Sequence, residues 1–361
     1  MHETTFAAGL PSTPFLAVEA GIMERNLAAM AKHAADAGLS LRPHAKTHKV
    51  PQIARKQLEL GAVGLTVATL GEAEVFADAG CTDLFLAYPL WVTGARAARI
   101  RALAGRATLS LGIDSAESAR ELGRAVAGSG VRAVVEVDSG HHRSGVQPAD
   151  AAEVALAAQA AGLDVVGVFT FPGHGYGPGK RPQAAADEAA ALATAAAALT
   201  RAGLSAAVIS GGSTPTVAGA DSSVLTEIRP GVYVFNDAQQ VELGSCTFED
   251  VALSAVATVV SSSGNTVILD AGSKVLGADQ PAWATGCGRI LEHPEARITA
   301  LSEHHATVVF PEGAAVPARG SILRAIPNHV CAAVNLADEL VVLREGVLED
   351  VWPVAARGRN N

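Results

Sequence analysis

Basic and titratable residues crowd one short run of this chain, Leu41-Arg42-Pro43-His44-Ala45-Lys46-Thr47-His48-Lys49. Clustered positive charge disfavours the ammonium form of a lysine, and a neutral lysine amine is a nucleophile toward carbonyl carbon. Lys46 is therefore the first candidate for covalent chemistry. A basic surface loop is the plain alternative for a lone lysine, but the density of Arg-Pro-His-x-Lys-Thr-His-Lys argues against it. Further on, Ser210-Gly211-Gly212-Ser213-Thr214-Pro215 combines glycines that let backbone approach a ligand with successive N–H groups and hydroxyls, a set suited to a phosphate. A Gly-Gly-Ser run by itself is usually only a turn. The third constellation is Pro327-Asn328-His329-Val330-Cys331. On a strand, residues i and i+2 share a face, so His329 and Cys331 can bind one ion and leave positions for water and substrate. Such a pair is more often core packing. The thiolate favours Zn²⁺, whereas a carboxylate there would suit Mn²⁺ or Mg²⁺ better.

What must position these residues is legible in the hydrophobic rhythm. Short β-type runs at 39–43, 63–68, 84–88, 108–113, 133–137, 165–171, 207–210 and 228–235 alternate with Ala-rich amphipathic stretches at 23–37, 70–79, 116–127, 149–161 and 182–202. Within 23–37, Leu27, Met30, Ala31 and Ala34 recur at helical spacing. Strand signals separated by helices predict a closed (β/α)8 TIM barrel over residues 16–240. Lys46, the Gly-Gly-Ser run and the candidates below then fall at the C-terminal ends of strands, where this architecture builds active sites. After Asn236 the rhythm changes to β-type runs at 251–260, 266–269, 306–309, 322–326 and 339–344, parted by turn residues. They predict a mostly antiparallel β domain over 241–361, joined by the N-terminal segment 1–15.

Composition narrows the function classes. With 49% hydrophobic and 17% charged residues in 361, a large packed core is expected and disorder is not. A net charge of -9 without a basic run argues against nucleic acid or an anionic membrane as partner. No stretch approaches the ~20 unbroken apolar residues of a membrane helix, and Met1 to Pro14 shows no secretion signal. Cys81, Cys246, Cys287 and Cys331 lie far apart, which fits a reduced, cytoplasmic compartment better than a disulfide framework.

The Pro-His-x-Lys run resembles the signature of the fold-type III pyridoxal 5'-phosphate (PLP) enzymes of the D-serine dehydratase and D-threonine aldolase group, related to the alanine racemase N-terminal domain. The resemblance spans about residues 12 to 350 with motifs in the same order. It implies that Lys46 carries PLP. In Glu136-Val137-Asp138-Ser139-Gly140-His141-His142-Arg143-Ser144-Gly145, it implies that Arg143 stands near the phenolic oxygen of the cofactor. Phe171-Pro172-Gly173-His174-Gly175-Tyr176 resembles the turn whose tyrosine meets the pyridine nitrogen, here Tyr176, although Gly175 replaces the usual serine. His174 is then a catalytic acid/base or a part of the turn. Gly212, Ser213 and Thr214 would face the phosphate, as would Gly231 and Tyr233 of Arg229-Pro230-Gly231-Val232-Tyr233. The metal of the family maps to His329 and Cys331.

The implied activity is that of a PLP- and metal-dependent lyase on D-β-hydroxy amino acids. Dehydration of D-serine or D-threo-3-hydroxyaspartate is preferred because the second ligand is Cys. The alternative is a D-threonine aldolase; an amino acid racemase or a non-catalytic PLP-binding protein is less favoured. The expected partner is a small D-amino acid, and the resemblance implies a homodimer.

Overall fold

The computed structural model describes residues 9–361. Strand β1 (Phe15–Glu19) comes first and is followed by the strands of the barrel, β2 (Ser40–Leu41), β3 (Leu65–Val67), β4 (Asp83–Pro89), β5 (Thr108–Ile113), β6 (Arg132–Glu136), β7 (Asp164–Phe169), β8 (Val208–Gly211) and β9 (Glu227–Ile228). These eight strands are all parallel and run in the order β2-β9-β8-β7-β6-β5-β4-β3. The ring closes where His44 bridges Thr66 and where the Val63 and Thr66 amides donate to the Leu41 and Pro43 carbonyls at 2.9 and 2.8 Å. This is the expected (β/α)8 barrel.

Strands buried on both faces read as continuous apolar runs, and β5 is buried from Leu109 to Ile113. Phe85 and Phe169 meet edge to face at 5.0 Å with Val134 beside them. The strands approach so closely that a Cβ on Gly167 would lie 1.8 Å from the Val208 carbonyl oxygen. A buried chain of charges also ties the strands together. Arg42, after β2, pairs with Asp83 at 2.6 Å and with Glu227 at 2.7 Å. The other oxygen of Glu227 accepts the Ser210 hydroxyl at 2.6 Å, and Arg229 Nε donates to Ser210 Oγ at 2.8 Å.

Around the barrel, helices Leu70–Asp78, Ala116–Val126 and Arg181–Arg201 lie within a residue or two of their expected bounds, and Pro51–Glu59 and Gly94–Ala104 are further helices. Thr69 caps the first of these by accepting the Glu72 amide at 3.0 Å, while the Glu72 side chain accepts the amide of Ala68, just before the cap, at 2.7 Å. The expected strand at 228–235 is not one. It stops at Ile228, and Val232–Val234 form a 3-10 turn, because Pro230 lacks the N–H that a strand would use.

The remaining strands are β10 (Leu253–Ser263), β11 (Thr266–Leu269), β12 (Gly288–Ile290), β13 (Arg297–Leu301), β14 (Ala306–Val309), β15 (Ile322–Pro327), β16 (Glu339–Arg344) and β17 (Val347–Pro353). With β1 they make a mostly antiparallel nine-stranded sheet, in which β1 pairs antiparallel with β10 and parallel with β16. Ala17, Val256, Val341 and Leu343 pack together where these three strands meet.

Two compact units result. One comprises the described residues up to Ala28, Thr47–Val50 and Val232–Gly358, and the other comprises Ala29–Lys46, Pro51–Gly231 and Arg359–Asn361. The spans read from sequence, 16–240 and 241–361, differ from this for physical reasons. β1 completes the antiparallel sheet and not the barrel. Lys49 is tied by its ammonium to Asn335 at 2.8 Å. Asp237 accepts the Val330 amide at 3.1 Å. Of the joining segment 1–15, residues 1–8 lie outside the described residues. Among the described residues no helix is long and apolar enough to cross a membrane.

Candidate active site

Lys46 sits in the 3-10 turn Ala45–Thr47 that follows β2. It lines a cavity of about 570 Å³ together with His44, Tyr88, Asp114, Arg143 and Ser144. Each of these follows, or lies in the last residues of, a barrel strand. Phe171 forms the hub beside them: the Lys46 amine lies 5.8 Å and the Arg143 guanidinium 5.3 Å from its ring centre. Tyr176 stands 6.0 Å from the same ring, and His141 meets it edge-on at 5.4 Å. Burial, then the charge of Arg143, holds the His141 imidazole below its ordinary value. The structure thus brings Lys46, Arg143 and Tyr176 around one aromatic side chain.

The crowd of cations read from the Arg42–Lys49 run is dispersed. The Arg42 guanidinium is neutralised by Asp83 and Glu227. His48 is fully buried and accepts the Val50 amide on Nδ1 at 3.1 Å. Lys49, at φ 55°, is directed to Asn335 and to the Ala356 carbonyl. Of that run only His44 shares the cavity with Lys46.

His174 is drawn elsewhere. Its Nε2 lies 3.3 Å from Asp187 on the helix Arg181–Arg201, and Gly140 covers the ring closely enough that a Cβ there would come within 3.3 Å. It is not among the residues lining the cavity of Lys46, so the geometry favours a part in the turn over the acid/base reading.

The Gly-Gly-Ser loop follows β8 as expected, but its amides are committed inward. Gly212, at φ +77°, donates its N–H to Glu188 Oε1 at 2.7 Å. Ser213 donates its own to Thr216 Oγ1 at 3.1 Å and shares its hydroxyl with the same oxygen at 2.9 Å. The picture of Gly212 and Ser213 aiming successive N–H groups at a ligand is therefore corrected: they brace the loop from beneath, and Thr214 stands next to them. The Arg229 amide donates to the Gly211 carbonyl at 2.8 Å, which sets the start of the segment leading to Gly231 against this loop. Tyr233 is buried in its 3-10 turn.

His329 and Cys331 are not on a strand. β15 ends at Pro327, and His329 is the N-cap of the helix Val330–Leu336, so Cys331 lies in the first turn of that helix. The two side chains still meet, since the cap residue is extended while the next residues coil. The Cys331 thiolate, followed by Asp237, holds the His329 proton well above the ordinary histidine value. Cys331 Sγ also lies 3.4 Å from the Thr47 hydroxyl oxygen. Among the described residues no group of three His, Cys, Asp or Glu stands at metal-binding spacing.

Asp237 organises that pair. Fully buried, it accepts the Gln240 amide at 2.9 Å on one oxygen and the Val330 amide at 3.1 Å on the other, thereby capping two helices. Its second oxygen also lies 3.5 Å from His329 Nδ1, close enough for its charge to favour the imidazolium.

Comparison with known proteins agrees with this architecture. Residues 18–239 match the family described as alanine racemase, N-terminal domain, and residues 252–343 match a putative serine dehydratase domain. The chain belongs to the alanine racemase N-terminal domain family. It is similar to the D-threonine aldolase of Arthrobacter sp., 36% identical over 96% of this chain and 93% of that one. It is also similar to the D-threo-3-hydroxyaspartate dehydratase of Delftia sp. strain HT23, 35% identical over 89% of this chain and 91% of that one. The crystal structure of D-threonine aldolase from Filomicrobium marinum superposes with a TM-score of 0.86, at 31% identity over 96% of each chain. The family resemblance expected from the Pro-His-x-Lys run is borne out, and the family is PLP-dependent.

For this alanine racemase-like barrel, motif reading missed Tyr88, Asp114, Asp237 and Glu188. Tyr88 and Asp114 carried a weak signal, their position at or just after a strand end. Asp237 and Glu188 carried none, because a buried carboxylate is recognised only by what surrounds it.

Proposed function

We propose that this chain is a PLP- and divalent-metal-dependent lyase of D-β-hydroxy amino acids, which removes water from D-serine or D-threo-3-hydroxyaspartate and releases ammonia. The observation that carries the reading is Lys46 at the barrel mouth, lining one cavity with Arg143, Asp114 and Tyr88. The residues around the cavity fit the reactive end of the cofactor: an amine for its aldehyde at Lys46, and a cation and an aromatic face at Arg143 and Phe171. Bound PLP supplies an electron sink that lets a bond to the substrate α-carbon break heterolytically. A divalent ion held by His329 and Cys331, with Zn²⁺ favoured by the thiolate, supplies Lewis acidity for a β-hydroxyl.

Lys46 Nζ takes the α-proton once its amine is released. With PLP bound, Arg143 would offer positive charge to its phenolic oxygen, and Tyr176 would offer its hydroxyl to the ring nitrogen. His44 and Asp114 are the titratable groups placed to exchange protons within the cavity. Loss of water from D-serine, followed by hydrolysis of the resulting imine, yields pyruvate and ammonia; D-threo-3-hydroxyaspartate yields oxaloacetate.

The His-x-Cys pair supports dehydration over cleavage. Solved structures of a D-threo-3-hydroxyaspartate dehydratase include one with a histidine replaced and one, in the metal-free form, with a cysteine replaced two positions later. That is the spacing of His329 and Cys331. The second reading, aldol cleavage of D-threonine to glycine and acetaldehyde, is supported by the 36% identity to an aldolase over nearly the whole chain. A homodimer and a cytoplasmic location complete the proposal. None of the four cysteines forms a disulfide, which suits a reducing compartment.

The test is product analysis with D-serine, D-threo-3-hydroxyaspartate and D-threonine in the presence of PLP and Zn²⁺ or Mn²⁺. Keto acid and ammonia are expected; glycine and aldehyde without keto acid would replace this reading by the aldolase one. Lys46→Ala should abolish borohydride trapping of PLP on the chain. His329→Ala should leave trapping intact and remove turnover.

A further inference from the structure

Two buried carboxyls take no part in the chemistry above. Glu188, fully shielded in the helix Arg181–Arg201, accepts the Gly212 amide, and burial pushes it up to about 7. Glu136 is the one that stands against residues of the candidate site. It ends β6, is 3% exposed, and has one oxygen, Oε2, buried without a hydrogen-bond partner.

The chain after Glu136 folds back onto it. Val137 and Val146 form a bridge, the Val146 amide donates to the Glu136 carbonyl at 3.0 Å, and the Asp138 amide donates to the Val146 carbonyl at 2.9 Å. Gly145, at φ +99°, permits this closure, since a Cβ there would lie 2.7 Å from the Asp138 nitrogen. Arg143 and Ser144 ride on the returning limb. They line the cavity of Lys46 and also a second, of about 10 Å³, which Glu136, His141 and Thr170 line with them. A space of that size holds about one water molecule, and Glu136 is not among the residues lining the cavity of Lys46. Substrate and cofactor therefore do not touch it, and any effect it has passes through Arg143 and Ser144.

Burial is the largest influence on the Glu136 carboxyl and pushes it up; the Ser144 hydroxyl, Arg143 and Arg229 favour the ionised form, and Asp114 opposes it. Of the two arginines, Arg229 is committed. Its Nε donates to Ser210 at 2.8 Å, and its guanidinium lies 5.5 and 5.3 Å from the ring centres of Phe85 and Phe169. Arg143 is exposed and rests on the face of Phe171 at 5.3 Å, which is a weak tether at an exposed site. A buried anion is a stronger one, because charge acts further where water is excluded.

We propose that Glu136 is a positioning residue for Arg143: fixed by Ser144, its carboxylate holds the guanidinium at the cavity of Lys46 across a space that fits one water. The consequence for chemistry rests on the PLP reading. The phenolic oxygen of PLP sits on the ring carbon next to the one bearing the aldehyde, so a cation held beside Lys46 is placed to meet it. A cation there stabilises the anion left when PLP on Lys46 gives up its imine proton. Without Glu136 the guanidinium turns to solvent and that proton is held more tightly.

The experiment loads the full chain with PLP and titrates its visible absorbance with pH. Glu136→Gln and Arg143→Ala should each raise the midpoint by about one pH unit and weaken PLP binding about tenfold. Together they should do no more than Arg143→Ala alone, because Glu136 acts through the arginine. Glu136→Gln keeps the size of the side chain and an acceptor for Ser144, so a merely structural loss would add to the effect of Arg143→Ala. An unchanged or lowered midpoint in Glu136→Gln, or additive effects, overturns the inference. A crystal structure of the wild type without cofactor gives a second readout that needs no variant: the guanidinium should face the cavity of Lys46 within one water of the carboxylate, and an Arg143 turned to solvent overturns the inference. If borohydride traps no PLP on Lys46 in the wild type, the cofactor reading falls and the crystal structure alone decides the position of Arg143; if trapping succeeds and the effects add, only the inference falls.

Discussion

Replacing Asp237 by Asn tests the frame of the candidate metal pair with almost no change of volume. The carboxylate is fully buried and accepts two helix-terminal amides, from Gln240 at 2.9 Å and Val330 at 3.1 Å, while standing 3.5 Å from His329 Nδ1. An asparagine has one oxygen for these three demands. If it stays with Gln240, its NH2 faces the Val330 N–H and the imidazole. One cap is lost, at about 1 kcal/mol, and a buried donor is left against a donor, at about 1–3 kcal/mol. The expected loss is thus about 2–4 kcal/mol in urea unfolding of the metal-free, cofactor-free protein followed by circular dichroism. The amide also favours the His329 tautomer with a proton on the nitrogen that faces away from Asp237, which cannot ligate. Zn²⁺ affinity, measured against a competing chelator, should fall about 10–100-fold. Asp237→Ala, which abandons both caps, should be less stable still. An Asn variant with wild-type stability and unchanged Zn²⁺ affinity would refute the claim that Asp237 orients His329.

Other perturbations follow from the same geometry. In the cofactor-free protein, the Glu188 carboxyl lies at about 7 in the fold against an ordinary 4.5, so the fold holds its proton after the unfolded chain has ionised. At about 1.4 kcal/mol per pH unit, the wild type loses about 3 kcal/mol as pH rises from about 4.5 to about 7. Glu188→Gln does not, so the difference between the two should widen over that window in urea denaturation and be flat above it; parallel pH profiles would contradict the burial argument. Glu227→Gln breaks one half of the buried Arg42 bridge and should cost about 3 kcal/mol, near the low end for such pairs because Asp83 remains; the loss should be insensitive to salt, as buried pairs are screened little. Gly167→Ala would place a Cβ 1.8 Å from the Val208 carbonyl and should prevent accumulation of folded protein. By contrast Gly128→Ala, at φ +72° with open space around it, should cost only about 1–2 kcal/mol in thermal unfolding.

Strands of both the barrel and the antiparallel sheet were legible because their signals are local. Strands β5, β11, β14 and β16 fall on the runs read from the sequence, since strands buried on both faces, or alternating on a half-buried sheet, leave their period in the chain. Lys46 was legible because a strand end in this architecture points to the mouth, and its Pro-His-x-Lys context is rare. The reasoning about its neighbours was not: Arg42, His48 and Lys49 lie in one short run yet are engaged in separate ion pairs and hydrogen bonds. Proximity along a chain does not imply proximity of side chains once a 3-10 turn and a left-handed residue intervene.

The sequence by itself determined the class of fold and singled out Lys46 as the candidate for covalent chemistry, because periodicity and turn chemistry are properties of neighbouring residues. Only the tertiary structure decided which amides of the Gly-Gly-Ser loop are spent on Glu188 and Thr216, that His174 turns to Asp187, and that His329 and Cys331 open a helix. It also decided that β1 serves the antiparallel sheet and that one buried aspartate caps two helices more than ninety residues apart. Those outcomes depend on burial and on partners far away in the chain, and a carboxylate carries no mark in sequence of whether water or a helix terminus will meet it.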